Sequence, residues 1–282
     1  MKRVLLLATL ALSACTQEPE GKAVTVIEFG ENGETTIRQT GADQAEPAEE
    51  VAAKSDQDDA CEVVTFEQVA LTHCVADPAK NRITTALGPE GGAPYRSLAA
   101  YSNTVDKADV AFAMNAGMYD GEGKPIGYYV EESNRAKELN QADGPGNFHM
   151  KPNGVFYGTG GSWQVKTADE FYRTVGTRPE FGTQSGPMLV VDGKLHPEIT
   201  DNGPSKAIRN GVGVDKAGRA HFVISNSPLS FGQLARYFRD ELKTPNALFL
   251  DGNVSSLWNP ASGRLDKGVP IGPLIVVTRK QP

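Results

Sequence analysis

The chain is poor in the residues that build redox and metal centres: its 282 residues include three cysteines, four histidines and two tryptophans. His73, His149, His196 and His221 are scattered, no pair stands at metal-ligand spacing, and HExxH is absent, which argues against a histidine-built zinc site. There is no Walker loop, no Rossmann glycine pattern and no internal repeat. Gly-Thr-Gly-Gly at 158–161 lies between two hairpin-like segments and reads as a turn. No apolar run is long enough to span a bilayer as a helix. No basic stripe runs along the chain, so nucleic acid is not an expected partner. What these absences leave is a site made of amides, hydroxyls and single charges, with neither metal nor cofactor expected.

The charge that is present is unevenly placed. Residues 16–60 carry twelve acidic side chains against Lys22, Arg38 and Lys54, with hardly an aromatic, whereas Cys61 to Pro282 holds 23 of each sign. The formal charge of −7 therefore belongs to the acidic segment, which reads as a solvated tether. Within it, "VTVIEFGENGETTIR" is the one stretch patterned for a hairpin, turning at Asn32-Gly33. Ahead of the tether, Lys2 and Arg3, the apolar run Val4–Leu12 and "LSAC" have the form of a signal peptide over 1–14. A cysteine after Leu-Ser-Ala resembles a bacterial lipobox, which implies lipid on Cys15; Thr16, where a retention signal would have Asp, implies an outer-membrane anchor facing the periplasm. The remaining cysteines, Cys61 and Cys74, form an even pair in an oxidising compartment and fit no zinc pattern, so a disulfide is expected in preference to two buried thiols. Closing a loop of about fourteen residues stabilises by about 3 kcal/mol on the chain-entropy account.

From 61 to 282, enough chain for one large domain, most segments read as strands separated by turns: "AFAMNAG", "PIGYYVEE", "NGVFYGTGGSWQVK", "PMLVVDGKL", "GVGVDKAGRAHFVIS" and "PLIVVTRK". Phe231, Leu234, Ala235, Phe238 and Leu242 fall on one helical face, with Ser227 or Ser230 as N-cap; "YRSLAAYSN" and "TADEFYRTV" give two weaker helices. The expected fold class is α+β: a large mixed, mostly antiparallel sheet with a few packed helices.

Residues 246–258, "NALFLDGNVSSLW", pose the functional question. Asp-Gly after an apolar run is a hairpin signal. "ALFL", however, does not alternate, so it predicts a strand buried on both faces, and Asp251 with Ser255 and Ser256 would then stand at the edge of the core. Other strand ends carry similar groups: Asn115, Asn153, Gln184 with Ser185, and Arg209 with Asn210. Singly each has an ordinary reading as a turn or loop residue. Together they suggest a cleft suited to sugars and anionic oxygens.

In this order and spacing, "MNAGMYD", "GNFHMKPNGVF", "TQSGPMLVVDGKLHP", "IRNGVGVD" and "ALFLDGNVSSLW" resemble the phosphodiester glycosidase family over about residues 61–280, and look closer to its bacterial branch than to its lysosomal one. The resemblance implies a fold of sheet and helices, no cofactor, and cleavage of the sugar C1–oxygen bond of a sugar phosphodiester in glycan or exopolysaccharide metabolism. On that chemistry Arg209 would hold phosphate oxygens in a bidentate fork, with Asn210 and Ser185 adding donors. Asp251 would face the anomeric carbon, either to attack it or to activate water. Asn115, Asn153 and Gln184 would orient sugar hydroxyls, Ser255 would complete the set, and Glu131 is the reserve carboxylate. His149 is given no role. The rival class is a non-catalytic envelope lipoprotein that binds a phosphorylated glycan. A calcium site at Asp251, Asn253 and Ser255 would have too few charged oxygens.

Overall fold

The computed structural model describes residues 26–29, 35–38 and 59–281. The signal segment, Cys15 and most of the tether lie outside these residues. Chain contacts divide the molecule into Met1–Ala53 and Lys54–Pro282. In the first unit, strands β1 (Val26–Phe29) and β2 (Thr35–Arg38) pair antiparallel with Ile27 opposite Ile37, the hairpin that Asn32-Gly33 predicts.

In the second unit the chain runs through β3 (Cys61–Phe66), β4 (Val69–Ala76), β5 (Asn81–Ala86), helix α1 (Leu98–Ser102), β6 (Val110–Asn115), β7 (Tyr129–Glu131) and β8 (Asn134–Lys137). There follow β9 (Gly154–Thr159), β10 (Ser162–Thr167), α2 (Ala168–Thr174), β11 (Phe181–Ser185), β12 (Met188–Val191), β13 (Lys194–Leu195), β14 (Asn210–Val214) and β15 (Ala220–Ser225). The last elements are α3 (Phe231–Arg236), β16 (Asn246–Phe249), β17 (Leu257–Asn259), β18 (Arg264–Leu265) and β19 (Leu274–Arg279). The α+β class holds, but the one large mixed sheet is in fact three antiparallel sheets among the described residues of this second unit: seven strands in the order β13-β12-β16-β14-β15-β4-β3, five as β18-β17-β6-β19-β5, and five as β10-β9-β11-β7-β8. Pairing between strands far apart in sequence decides this division, and local pattern carries no record of it.

Each sheet turns one face to a shared core. Phe112, Met114, Ile275, Phe156, Phe181, Phe222, Ile224 and Leu248 meet there, drawn from all three sheets. The alternate residues face outward and are covered by short helices: Val223, Leu189 and Phe249 by Leu234 and Phe238 beyond α3; Ala113 and Val276 by Leu98 of α1; Val155 and Tyr157 by Phe171 of α2. Strands covered on both faces need not alternate in polarity, which is why "ALFL" reads as it does. All three predicted helices form, capped by Ser97, Thr167 and Ser230; the Ser230 cap is a reciprocal box with Gln233. The Phe231 helix passes into a π turn at Tyr237–Glu241, so its predicted length is there with altered winding. Cys61 and Cys74 face each other across β3 and β4 and are bonded, S–S 2.05 Å.

Candidate active site

The Asp251 stretch is no hairpin. β16 belongs to the seven-stranded sheet and β17 to a five-stranded one, so a 3-10 turn at Gly252–Val254 carries the chain from sheet to sheet. Strand ends from all three sheets gather around it. β6 ends at Asn115, β11 ends at Ser185 and β14 begins at Asn210. Gly117, just past β6, donates its N–H to Thr183 Oγ1 at 3.1 Å, and a Cβ there would lie 2.1 Å from the Gln184 carbonyl. Only glycine lets the β6 and β11 ends come this close.

Buried amides tie the ends together. Asn115 Oδ1 accepts from Asn210 Nδ2 and from the Ser256 N–H, both at 2.9 Å, while Asn115 Nδ2 donates to the Asp251 carbonyl at 2.8 Å. Ser255 Oγ lies 3.1 Å from Asn210 Oδ1 and 3.0 Å from the Gly252 carbonyl. The Asp251 N–H donates to Ala116 O at 3.2 Å, and the Leu250 N–H to Asn210 O at 3.1 Å. The β14–β16 ladder ends at the pair Gly211 and Phe249, so Arg209 and Asp251 each follow two residues beyond it on their own chain segments. Asn115, Asn210, Arg209, Asp251 and Ser255 are thus brought to one place.

Arg209 is held more firmly than the sequence suggests. Nε donates to Leu229 O at 3.1 Å, Nη2 to Ser205 O and Oγ at 3.2 and 3.1 Å, and the guanidinium stacks 3.7 Å from the Phe231 ring centroid. The two Nη2 hydrogens are engaged, so the expected two-nitrogen fork is replaced by a single reachable nitrogen, Nη1, which makes no hydrogen bond among the described residues. Burial lowers the pKa of Arg209 to about 10, which leaves it charged at neutral pH.

The other expected residues divide. Ser185 is fully buried and its Oγ has no hydrogen-bond partner among the described residues. Gln184 points away: alternation along β11 places it on the Val155 face, where Oε1 accepts the Tyr128 and Asn140 N–H groups at 2.9 Å each and Nε2 donates to Asn140 O at 2.7 Å. Its amide latches the segment around Asn140 in place of the expected sugar hydroxyls. Asn153 likewise donates to Phe148 O at 2.9 Å, holding the turn at Asn147–His149. Glu131 accepts from Tyr129 Oη at 2.7 Å, and burial raises its pKa. The β7–β11 register puts Glu131 opposite Phe181, at the end of β11 remote from Ser185. His149 bonds the Ala142 carbonyl through Nδ1 at 3.0 Å. Among the described residues no group of three or more His, Cys, Asp or Glu is disposed to hold a metal.

Tyr119 was missed. It donates to Pro270 O at 2.5 Å, Arg96 lies 5.2 Å from its ring centroid, and its pKa is raised by burial and by the nearby Asp251 charge. Its signal lay in "NAGMYD", where the aromatic follows Gly117 by two positions.

The sequence model of the phosphodiester glycosidase family matches residues 108–277, a span that contains every one of these strand ends. The chain belongs to the phosphodiester glycosidase family. Among relatives, the uncharacterized Escherichia coli protein YigE is 33% identical over 205 residues, covering 72% of this chain and 80% of that one. Among solved structures, the catalytic domain of zebrafish N-acetylglucosamine-1-phosphodiester alpha-N-acetylglucosaminidase, auto-inhibited by its pro-peptide, superposes with a TM-score of 0.54 at 12% identity, over 91% of this chain and 82% of that chain. A hypothetical protein from Synechocystis superposes with a TM-score of 0.50 at 14% identity, over 78% of this chain and 61% of that one. These two likenesses establish the fold that the resemblance implied.

Proposed function

We propose that this phosphodiester glycosidase-family protein is an envelope-anchored hydrolase that cleaves the C1–oxygen bond of a sugar phosphodiester in glycan or exopolysaccharide metabolism. The observation that carries the reading is the buried amide knot of Asn115 and Asn210, which bonds the Asp251 carbonyl and adjoins Arg209 in the chain. Arg209 Nη1 and the unpartnered Ser185 hydroxyl are suited to the phosphate oxygens, and Asp251 supplies the carboxylate at the sugar. Water ends on C1, the bond from C1 to the phosphate oxygen breaks, and its electron pair leaves with the phosphomonoester. Such a leaving group is stable as an anion, so one carboxylate suffices without a strong general acid. Anchoring through Cys15 is part of the proposal; the Cys61–Cys74 disulfide supports the oxidising compartment it requires.

The test is turnover of a panel of sugar 1-phosphodiesters by the full chain in water enriched in oxygen-18. Label in the released sugar, with none in the phosphomonoester, is the expected result. Asp251→Asn should lower kcat by at least about 100-fold with little change in KM, the size of a lost carboxylate catalyst. Arg209→Lys keeps the charge but not the stacked plane and should lose at least about tenfold in kcat/KM. Binding of a phosphorylated glycan with no turnover by the unmodified protein would establish the lipoprotein reading instead.

A further inference from the structure

Away from the strand-end site, a cleft of about 670 Å³ opens beside Tyr128 and the start of β8, walled by α2 and the residues after it on one side and by the segment around Leu139–Gln141 on the other. Two of its lining residues are aromatic rings in contact: Phe171 lies 4.8 Å from the Tyr128 ring. Beside it Tyr172 is 69% exposed, one of three large apolar side chains so exposed among the described residues, and it makes no ring contact or hydrogen bond within them. Exposing an aromatic beside a cleft brings the fold no burial, so folding does not explain it.

The polar wall is cationic. Arg178 has one hydrogen bond, to Ser133 O at 3.3 Å, and no carboxylate partner among the described residues. Arg135 pairs with Glu138 at 2.8 Å, leaving the cleft with one net positive charge from these three groups. Arg135 and Arg178 line the cleft together with Tyr128, whose phenol pKa is raised by burial against the pull of the two guanidiniums. That hydroxyl makes no hydrogen bond among the described residues. Unengaged donors, an exposed ring and a surplus cation therefore converge on one cleft.

We infer that this cleft is a second carbohydrate-binding site, which takes a glycan bearing an anionic substituent by stacking a sugar face on Tyr172 and pairing the anion with Arg178. Sugar rings present C–H faces to aromatics and hydroxyls to Tyr128, and a carboxylate or phosphate fits the planar guanidinium. A neutral glycan would leave Arg178 unmatched, and a simple polyanion would leave Tyr172 unstacked. One wall of the cleft hangs on Gln184, whose amide clamps Asn140 between the lining residues Leu139 and Gln141. The inference stands without the hydrolase reading, because it is read by binding and needs no turnover.

The test is affinity electrophoresis of the full chain through gels containing polygalacturonate, dextran or polyglutamate. Retardation by polygalacturonate alone is expected, reduced at least about fivefold by Tyr172→Ala and by Arg178→Ala and unchanged by Arg209→Lys, which weakens anion binding at the strand-end site and so separates the two. Equal retardation by polyglutamate would reduce the cleft to a charge effect and overturn the inference. So would loss of retardation in Arg209→Lys, or no retardation by polygalacturonate. Both cleft residues are exposed, so their truncation leaves the core intact, and a cooperative thermal transition in each variant checks this.

Discussion

His73 and His221 show how a residue's meaning can hide in the sequence. They stand 148 positions apart, yet His73 Nε2 lies 2.9 Å from His221 Nδ1, and both rings are buried in the seven-stranded sheet. His221 Nε2 is 3.1 Å from Asp215, which also holds Arg219; Glu62 faces His73 Nδ1 at 3.5 Å and the Tyr237 ring packs edge-on. Burial and the neighbouring His221 lower the pKa of His73 from 6.5 to about 4; burial also lowers that of His221, against the pull of Asp215. For Asp215 burial acts upward, but the bonds from His221 and Arg219 outweigh it and hold the carboxyl at about 2. Because the folded-state values of the two histidines lie below 6.5, the unfolded chain takes up these protons first. Their contribution to stability is therefore complete above pH 6.5 and drains as pH falls toward about 4. Melting temperature measured from pH 7.5 to 4 should drop through this window, and His73→Gln should flatten the drop. An unchanged slope in the variant would show that the buried pair is not its source. The four histidines are scattered in the sequence, and antiparallel pairing of β4 with β15 is what makes two of them neighbours.

At the scale of elements, the local signals were legible and the directional ones were not. The Ser230 cap and the apolar stripe of Phe231, Leu234 and Ala235 specify a helix within one window of sequence, and the helix is there. Gln184 and Ser185 are adjacent on one strand, so their side chains must leave on opposite faces and at most one of them can line a given cleft. Only the register with β9, Gln184 opposite Val155, decides that Ser185 faces inward. Asn115 is the opposite case, since as the last residue of β6 it could have been an ordinary turn amide, but it is 1% exposed and bonds to β14, the β16–β17 crossing and Asp251. Asn115→Ala would take the partner from the Ser256 N–H, at about 1–3 kcal/mol for a buried group left bare, while Asn210 Nδ2 keeps only the Asn115 carbonyl at 3.4 Å and the Asp251 carbonyl keeps the Val254 N–H at 3.4 Å. Urea denaturation should show this loss. Asn210→Ala added to it should cost less than its own single effect, because the shared bond is already gone. Additive losses would mean the amides act separately and the knot is no unit.

At the scale of the whole molecule, charge and covalent chemistry are divided along the chain in a way that fits a tethered domain. Cys61 to Pro282 is formally neutral, and the twelve acidic residues of 16–60 carry the net charge, so the folded part has no electrostatic reason to sit against an anionic membrane surface. Under the anchoring proposal, attachment then rests on lipid, since the charge of the folded part does not supply it. A single acyl chain binds membranes only marginally, whereas the several chains of a bacterial lipoprotein modification hold firmly. The disulfide sits at the first strand of the domain, where β3 and β4 are an edge pair of the seven-stranded sheet, and it pins that edge at the point where the tether enters. Cys15→Ser should therefore move the protein from the membrane pellet to the soluble periplasmic fraction, with the Cys61–Cys74 bond and the thermal transition unchanged. If the variant stays in the pellet, some other segment or partner anchors the chain. If the unmodified protein is already soluble, the signal is cleaved without lipidation and the domain meets its glycan by diffusion.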